Sequence, residues 1–444
     1  MSYSSPSGCS SFIRLPRRDF IGLGLGFGAG LSLPQLLKAE SENRSSVKGV
    51  TRQKSLIVVY LSGGISHLDT VDLKPAAPKE IRGEFNPIQS NLPGHPVCEL
   101  LPLLSCRMDK FLTLKSLVGF ADEHSSFQNL TGFQMGVAQR DAKPHLGSVI
   151  TKVLGPIVPT FPPFVDLFPT MQHRPYNSPG PGFLGRSAQA VRLQGGDVNT
   201  LQLEAGQKEA LVDKRGLLES MDSFRGFLET GGVDQNYRRA FDVLLNRKIL
   251  DALDISREPE KVRERYGRGS EKHQGDGAPL WNDQLLVARR LVESGARIVS
   301  VGYGFWDTHG NNFGHLKGNL PVFDKGITAL VDDLHERGMA DDTLVLVWGE
   351  FGRTPKINKD AGRDHWSRVN TALLAGGGLK TGQVIGRTDA QGAEVRDDPI
   401  HFQDILATVY QAMGIDPHGL VLDVGQRPIP ILPGTAQPVR RAFS

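Results

Sequence analysis

The chain has 444 residues, room for one large or two ordinary domains, and 39% hydrophobic with 22% charged residues is a globular composition that supplies a substantial core. Net charge is +3, and Arg14, Arg17, Arg18 and Lys38 against Asp19 and Glu40 account for two of those charges within the first 40 residues. What remains is nearly neutral and lacks a basic patch with interleaved aromatics, so nucleic acid is excluded as the expected partner.

Residues 1–40 read as an address label rather than as part of a fold. Polar and basic residues lead into LPRRDFIG, where Arg17 and Arg18 precede Phe20, and then into the glycine-rich run IGLGLGFGAGLSL before Pro34. This resembles a twin-arginine export signal, which carries folded proteins across a bacterial inner membrane. The apolar run is too short and too rich in glycine for a membrane helix of ~20 residues. The expected destination is therefore the periplasm or beyond, with the twin-arginine export machinery as a partner and no stable membrane span after export. An uncleaved basic anchor is the alternative, and Ala39 is a candidate boundary. Cys9 falls in the signal, which leaves Cys98 and Cys106 either to pair in an oxidising compartment or to stay as thiols.

Residues 41–54 form a polar, flexible lead-in, after which a domain over 55–440 begins. LIVVYL, 56–61, is a first central strand, and it exits into SGGISHLDTVDLKP, where glycines permit a tight turn before His67, Asp69 and Asp72. FLTLKSL, 111–117, is a second strand with a polar exit, ADEHSSFQNLTG, in which a helix begins and Ser or Asp could cap it. Proline and glycine are dense over 155–185, which predicts irregular surface loops. From about 205 to 295 the chain turns charged with helical periodicity, as in AFDVLLNRKILDALD, broken by the polar SREPEKVRERYGRGSEKHQGDG. This is read as a helical insertion covering one side of a sheet.

Ile298 to Tyr303 is a strand followed by Asp307 and His309 in a loop rich in glycine and asparagine. The helix LPVFDKGITALVDDLHERG crosses over to the unbroken apolar run Leu344 to Trp348, which suits a parallel strand covered on both faces. Glu350 and Arg353 lie just beyond it, then Asp364 and His365 in GRDHW. NTALLAGGG, 370–378, is a further strand and FQDILATVYQAMG a closing helix. Strands alternating with helices give an α/β class with a mainly parallel sheet. No internal repeat and no phosphate-binding glycine loop is present.

In open α/β sheets ligands gather where strands end, and histidines and carboxylates follow several of these strands. Asp307 and His309, one residue apart, could reach one cation; oxygen with imidazole nitrogen suits Zn²⁺, Mn²⁺ or Fe, whereas Mg²⁺ and Ca²⁺ favour oxygen shells. The plain alternatives are a capped turn for Asp307, a salt bridge for Glu350 with Arg353, turn formation for Asp69 and helix capping around Asp122. His365 reads either as a ligand or as a base oriented by Asp364.

SGGISHLDTVDLKP, EHSSFQNLTG, LLVARRLVESGARIVSV, WDTHGNN, GEFGRTPKIN, GRDHW and LLAGGGLKTGQVIGRTD, spread over about residues 50–420, together resemble the domain of unknown function 1501 family of exported bacterial proteins. That family is similar to the alkaline phosphatase and sulfatase superfamily. The resemblance implies an alkaline-phosphatase-like three-layer sandwich with a metal site at its strand ends. By motif, Asp307 and His309 resemble ligands of one metal, and His365 resembles the late histidine ligand. There are departures: Glu350 stands where an Asp-His pair would follow the strand, Ser62-Gly63-Gly64 replaces an acid at the end of the first strand, and Ser125 is displaced from the nucleophile position, which falls on Asp122.

The resulting expectation is an exported metal-dependent hydrolase of small-molecule or polysaccharide phosphate or sulfate esters. Asp69, Asp307, His309, Glu350, Asp364 and His365 are the expected holders of a divalent metal, Zn²⁺, Mn²⁺, Ca²⁺ or Mg²⁺. Ser125 or water would attack, Arg353 would contact the anion, and His124 would be a ligand or general acid. The rival is a non-catalytic periplasmic or cell-surface binding protein that keeps the fold.

Overall fold

The structure, a computed structural model, describes residues 53–193 and 247–444. The expected signal, nearly all of the lead-in, and positions 205–246 of the expected insertion lie outside the described residues.

The central sheet contains β1 (Ser55–Ser62), β2 (Phe111–Val118), β3 (Phe164–Asp166), β4 (Val191–Arg192), β5 (Ile298–Phe305), β6 (Thr343–Gly349), β7 (Asn370–Gly376), β8 (Gln383–Ile385) and β9 (Ile400–His401). Their spatial order is β8, β2, β7, β6, β1, β5, β3, β4, with β9 also paired to β2. β1 lies between β6 and β5, parallel to both, with Leu56 beside Leu344 on one side and Ile298 on the other. β7 runs antiparallel to both of its neighbours, β6 and β2, so the sheet is mainly parallel as the pattern of elements predicts. Every residue of β1 and β6 is buried, which is why both read as unbroken apolar runs.

Strand alternation divides the core in two. Ile57, Val59, Leu61, Val345 and Val347 face one side, packed on α3 (Asn282–Ser294) through Leu285 and Leu291 and on α4 (Asn312–Glu336) through Phe323, Ile327 and Leu330. Leu56, Val58, Tyr60, Leu346 and Trp348 face the other, packed on α2 (Leu146–Leu154) through Val149 and Ile150 and on α5 (Phe402–Ala412) through Ile405 and Val409. The result is a three-layer α/β sandwich in which each such side chain contributes ~1.5–3 kcal/mol by leaving water.

α4 begins at Asn312, two turns before the expected start near Leu320, and carries Pro321 inside it. That proline has no N–H for the carbonyl one turn back, which is why the sequence reads as a helix start there. The described part of the expected insertion is less helical than its periodicity implies. It holds short helices at Arg247–Leu253 and Glu260–Tyr266, then a hairpin of Gly269–His273 with Pro279–Trp281. α3, at its end, covers the sheet. Glu258 ties the segment down through ion pairs to Arg289 at 2.7 Å, Arg337 at 3.1 Å and Arg290.

The parallel arrangement places the C-terminal ends of β1, β5, β6 and β2 on one edge, and antiparallel β7 starts from the same edge. The loops after Ser62, Phe305, Gly349 and Val118, and the loop before Asn370, therefore meet there. Among the described residues no helix is long and apolar enough to cross a membrane.

Candidate metal centre

β5 ends at Phe305, and Asp307 follows buried Trp306, whose N–H donates to the Ser62 carbonyl at 2.8 Å. That seam needs Gly63: its φ is +103°, and a Cβ there would come within 2.5 Å of the Asp307 nitrogen. Arg353, fully buried, fixes Asp307 from behind. Its Nη2 donates to Asp307 Oδ1 at 2.7 Å and to the Gly63 carbonyl, while Nε donates to the Gly64 carbonyl at 2.9 Å and Nη1 to the Arg363 carbonyl at 3.1 Å. The guanidinium expected to grip an anionic substrate is thus spent on holding the site together.

Three imidazoles close on Asp307. His309 Nε2 lies 3.1 Å from Oδ1, His365 Nε2 3.8 Å from Oδ1, and His124 Nε2 3.4 Å from Oδ2. His309 and His365 also face each other Nε2 to Nε2 at 2.9 Å. One ligand atom from each of these four residues lies within 4.8 Å of those of the others, a group that could hold a metal ion. Phe351 packs against the His124 and His365 rings, with centroids at 5.1 and 4.6 Å, and fixes their planes.

Each imidazole turns its other nitrogen to a carboxylate. His124 Nδ1 lies 3.1 Å from Glu350 Oε1, His309 Nδ1 2.8 Å from Asp364 Oδ1, and His365 Nδ1 2.7 Å from Asp122 Oδ1. An ionised carboxylate only accepts, so Nδ1 carries a proton, and in the neutral ring Nε2 keeps the lone pair. Three such rings beside a carboxylate could serve as the donor set for a cation, with outer carboxylates that orient the rings and raise their basicity. His124 Nε2 is buried and faces Asp307 Oδ2 at 3.4 Å, a position that a proton or a bound cation would fill.

The electrostatics agree with the geometry. For His124 burial pulls the imidazole down, but hydrogen bonds to Asp307 and Glu350 outweigh it and lift it to about 9. Burial pushes the Asp307 carboxyl up, yet hydrogen bonds from His124 and His365 and the charge of Arg353 hold it well below the usual carboxylate range. The hydrogen bond from His309 lowers Asp364. Metal-free, the group favours extra protons on nitrogen, the positions a divalent ion would take.

Of the residues expected to bind metal, Asp307, His309 and His365 stand in the four-residue group, together with His124, expected as ligand or acid. Glu350 and Asp364 lie one step out, on His124 and His309. Glu350 is fully buried and also accepts the Gly63 N–H at 2.8 Å. Asp69 is not brought to the group: it takes Arg363 in a two-pronged pair at 2.7 and 3.1 Å, and Ser66 Oγ and Asn312 Nδ2 also donate to its Oδ2. Ser125 is buried, with Oγ accepting the Phe127 N–H at 3.1 Å at the start of α1 (Phe127–Thr131). Asp122, read from sequence as a helix cap, is the partner of His365; its position two residues before His124 was the signal available. Cys98 and Cys106 are free thiols, and burial raises Cys98 to about 12.

The family described as "Protein of unknown function (DUF1501)" matches residues 53–443. No curated protein matches the chain by sequence. Solved structures similar to it include Ps i-CgsB, at 10% identity and a TM-score of 0.39, with 82% of this chain and 72% of that chain covered. A protein in the alkaline phosphatase superfamily from Vibrio parahaemolyticus gives 11% identity and a TM-score of 0.36 over 82% and 67%. The phosphonate monoester hydrolase SpPMH from Silicibacter pomeroyi gives 10% and 0.35 over 88% and 77%.

Proposed function

The chain belongs to the DUF1501 family of proteins of unknown function, and from that premise and the geometry of the centre we propose that it is an exported, metal-dependent hydrolase of phosphate or sulfate esters. The observation that carries the reading is the convergence of three imidazole Nε2 atoms on Asp307 while each Nδ1 is held by its own carboxylate. A structural hydrogen-bond network has no need to bring three imidazole nitrogens to one carboxylate. The RR-F sequence at Arg17, Arg18 and Phe20 supports export by the twin-arginine pathway.

His124, Asp307, His309 and His365 would hold the ion, and a set of three nitrogens and one carboxylate suits Zn²⁺ or Mn²⁺ better than Ca²⁺ or Mg²⁺. When bound, such an ion would supply Lewis-acid chemistry toward the ester and toward water. Glu350, Asp364 and Asp122 keep the rings in the ligating tautomer, and Arg353 keeps Asp307 ionised and aimed. His309 is the most exposed of the four, with 47% of its side chain accessible, so the ester enters on its side. With Ser125 buried in a capping role, water rather than serine is the nucleophile, and no covalent phospho- or sulfo-enzyme forms.

That burial of Ser125 also favours the second reading, a periplasmic or cell-surface binding protein that retains the ion without turnover. Purified protein loaded with Zn²⁺ or Mn²⁺ is assayed on aryl phosphates and aryl sulfates, beside His309→Ala. Metal-dependent turnover lost in the variant is the expected result. Stoichiometric metal with no turnover on either ester class favours the binding protein, and no metal with no turnover removes the hydrolase reading.

A further inference from the structure

The metal centre adjoins a cleft of about 710 Å³, within the ~300–1,000 Å³ typical of sites for organic ligands and far more than a lone phosphate or sulfate needs. Asp364, the partner of His309, and Trp366, the neighbour of His365, both line it, so the cleft and the centre share a wall. We propose that this cleft holds a carbohydrate chain carrying spaced anionic groups, with one ester of that chain reaching the metal centre. The proposal rests on the ester-hydrolase reading above and names its substrate class.

Trp366 supplies the platform. Its Nε1 donates to the Ala393 carbonyl at 2.8 Å and the Arg368 guanidinium lies over its ring, 5.5 Å from the centroid, so the indole is clamped in place. A fixed aromatic face, electron-rich at its centre, suits the C–H face of a sugar ring and costs little side-chain entropy on binding. Ile357 and Pro355 continue the apolar surface beside it.

Lys356 and Lys359 line the same cleft, both exposed, and neither pairs with a carboxylate among the described residues. Two free ammonium groups beside an aromatic platform fit sulfate, phosphate or carboxylate substituents on neighbouring sugars. Glu80, also exposed in the cleft, opposes a dense polyanion such as a polyphosphate or nucleic acid strand. It suits hydroxyl groups, which donate to it. Hydroxyl-bearing rings with anionic groups set apart satisfy all of these side chains at once.

The test is binding by the full chain carrying His309→Ala, so that turnover plays no part and failure of the hydrolase reading leaves the result readable. It is titrated calorimetrically with a panel of sulfated, phosphorylated and uronic-acid oligosaccharides, each beside its uncharged counterpart and beside inorganic sulfate and phosphate. At least one charged oligosaccharide is expected to bind, with its uncharged counterpart and the inorganic ions about tenfold weaker or more. Adding Trp366→Ala, or Lys356→Ala with Lys359→Ala, is expected to weaken that binding by a similar factor. The lysines are exposed, so the double variant folds even if the tryptophan variant does not. The proposal is overturned if no charged member outbinds its uncharged counterpart, or if binding survives in the lysine double variant.

Discussion

His309 and His365 meet Nε2 to Nε2 at 2.9 Å, each having given its Nδ1–H to a carboxylate of its own, Asp364 and Asp122. Two lone pairs so placed repel one another unless a proton or a metal ion lies between them. His365→Ala and His309→Ala are therefore each expected to take bound Zn²⁺ or Mn²⁺ from near one ion per chain to a small fraction of that, read by elemental analysis after gel filtration. Full metal content in either variant would remove the pair from the ligand set.

The outer carboxylates give a graded prediction. Asp122→Ala and Asp364→Ala alter exposed side chains, so thermal unfolding of the metal-free protein should hardly move. Loss of an orienting partner should still weaken metal binding by ~10–100-fold, measured by competition with a chelating dye. Unchanged affinity in both would mean that neither carboxylate orients its ring for the ion.

Asp69 predicts the reverse split between stability and metal. Removing it leaves the Arg363 guanidinium buried without its carboxylate, so Asp69→Ala is expected to cost ~3–5 kcal/mol in denaturant unfolding. The folded fraction should keep its metal. Metal loss at undiminished stability would return Asp69 to the ligands.

A pH effect distant from the centre tests the packing of α4 on the short helix Pro102–Ser105 ahead of β2. Asp324 is buried and accepts the N–H groups of Leu103 and Leu104 at 2.8 and 2.7 Å. Burial raises its carboxyl from 3.8 to about 6, against those two hydrogen bonds. A carboxyl raised on folding contributes stability that is fully present below its unfolded value and is lost as pH rises through the folded one. The unfolding midpoint of the parent minus that of Asp324→Asn should fall between about pH 4 and pH 6 and level off above. A flat difference across that window would contradict the assignment.

Much of this was legible in the chain. β1, β5 and β6 announce themselves as apolar runs because parallel strands are covered on both faces, and residues just past such strands collect at one edge whatever the details. That logic is enough to nominate Asp307, His309, His365 and His124. It does not say which carboxylate meets which imidazole. Asp122 reaches His365 only because antiparallel β7 lies between β6 and β2 and brings the loop before it alongside the loop after β2, a pairing across 243 positions. Asp69 and Arg353 misread for a related reason. A carboxylate and a guanidinium at a strand end look like ligand and anion clamp until the fold supplies Arg363 for one and the Gly63 and Gly64 carbonyls for the other.

The most direct test is diffraction from metal-soaked crystals at the absorption edge of Zn²⁺ or Mn²⁺. The account predicts an anomalous peak bonded to Nε2 of His124, His309 and His365 and to a carboxylate oxygen of Asp307, with Glu350, Asp364 and Asp122 on the far nitrogens. A peak held by Asp69 or Glu350, or no peak among these four side chains, would contradict it.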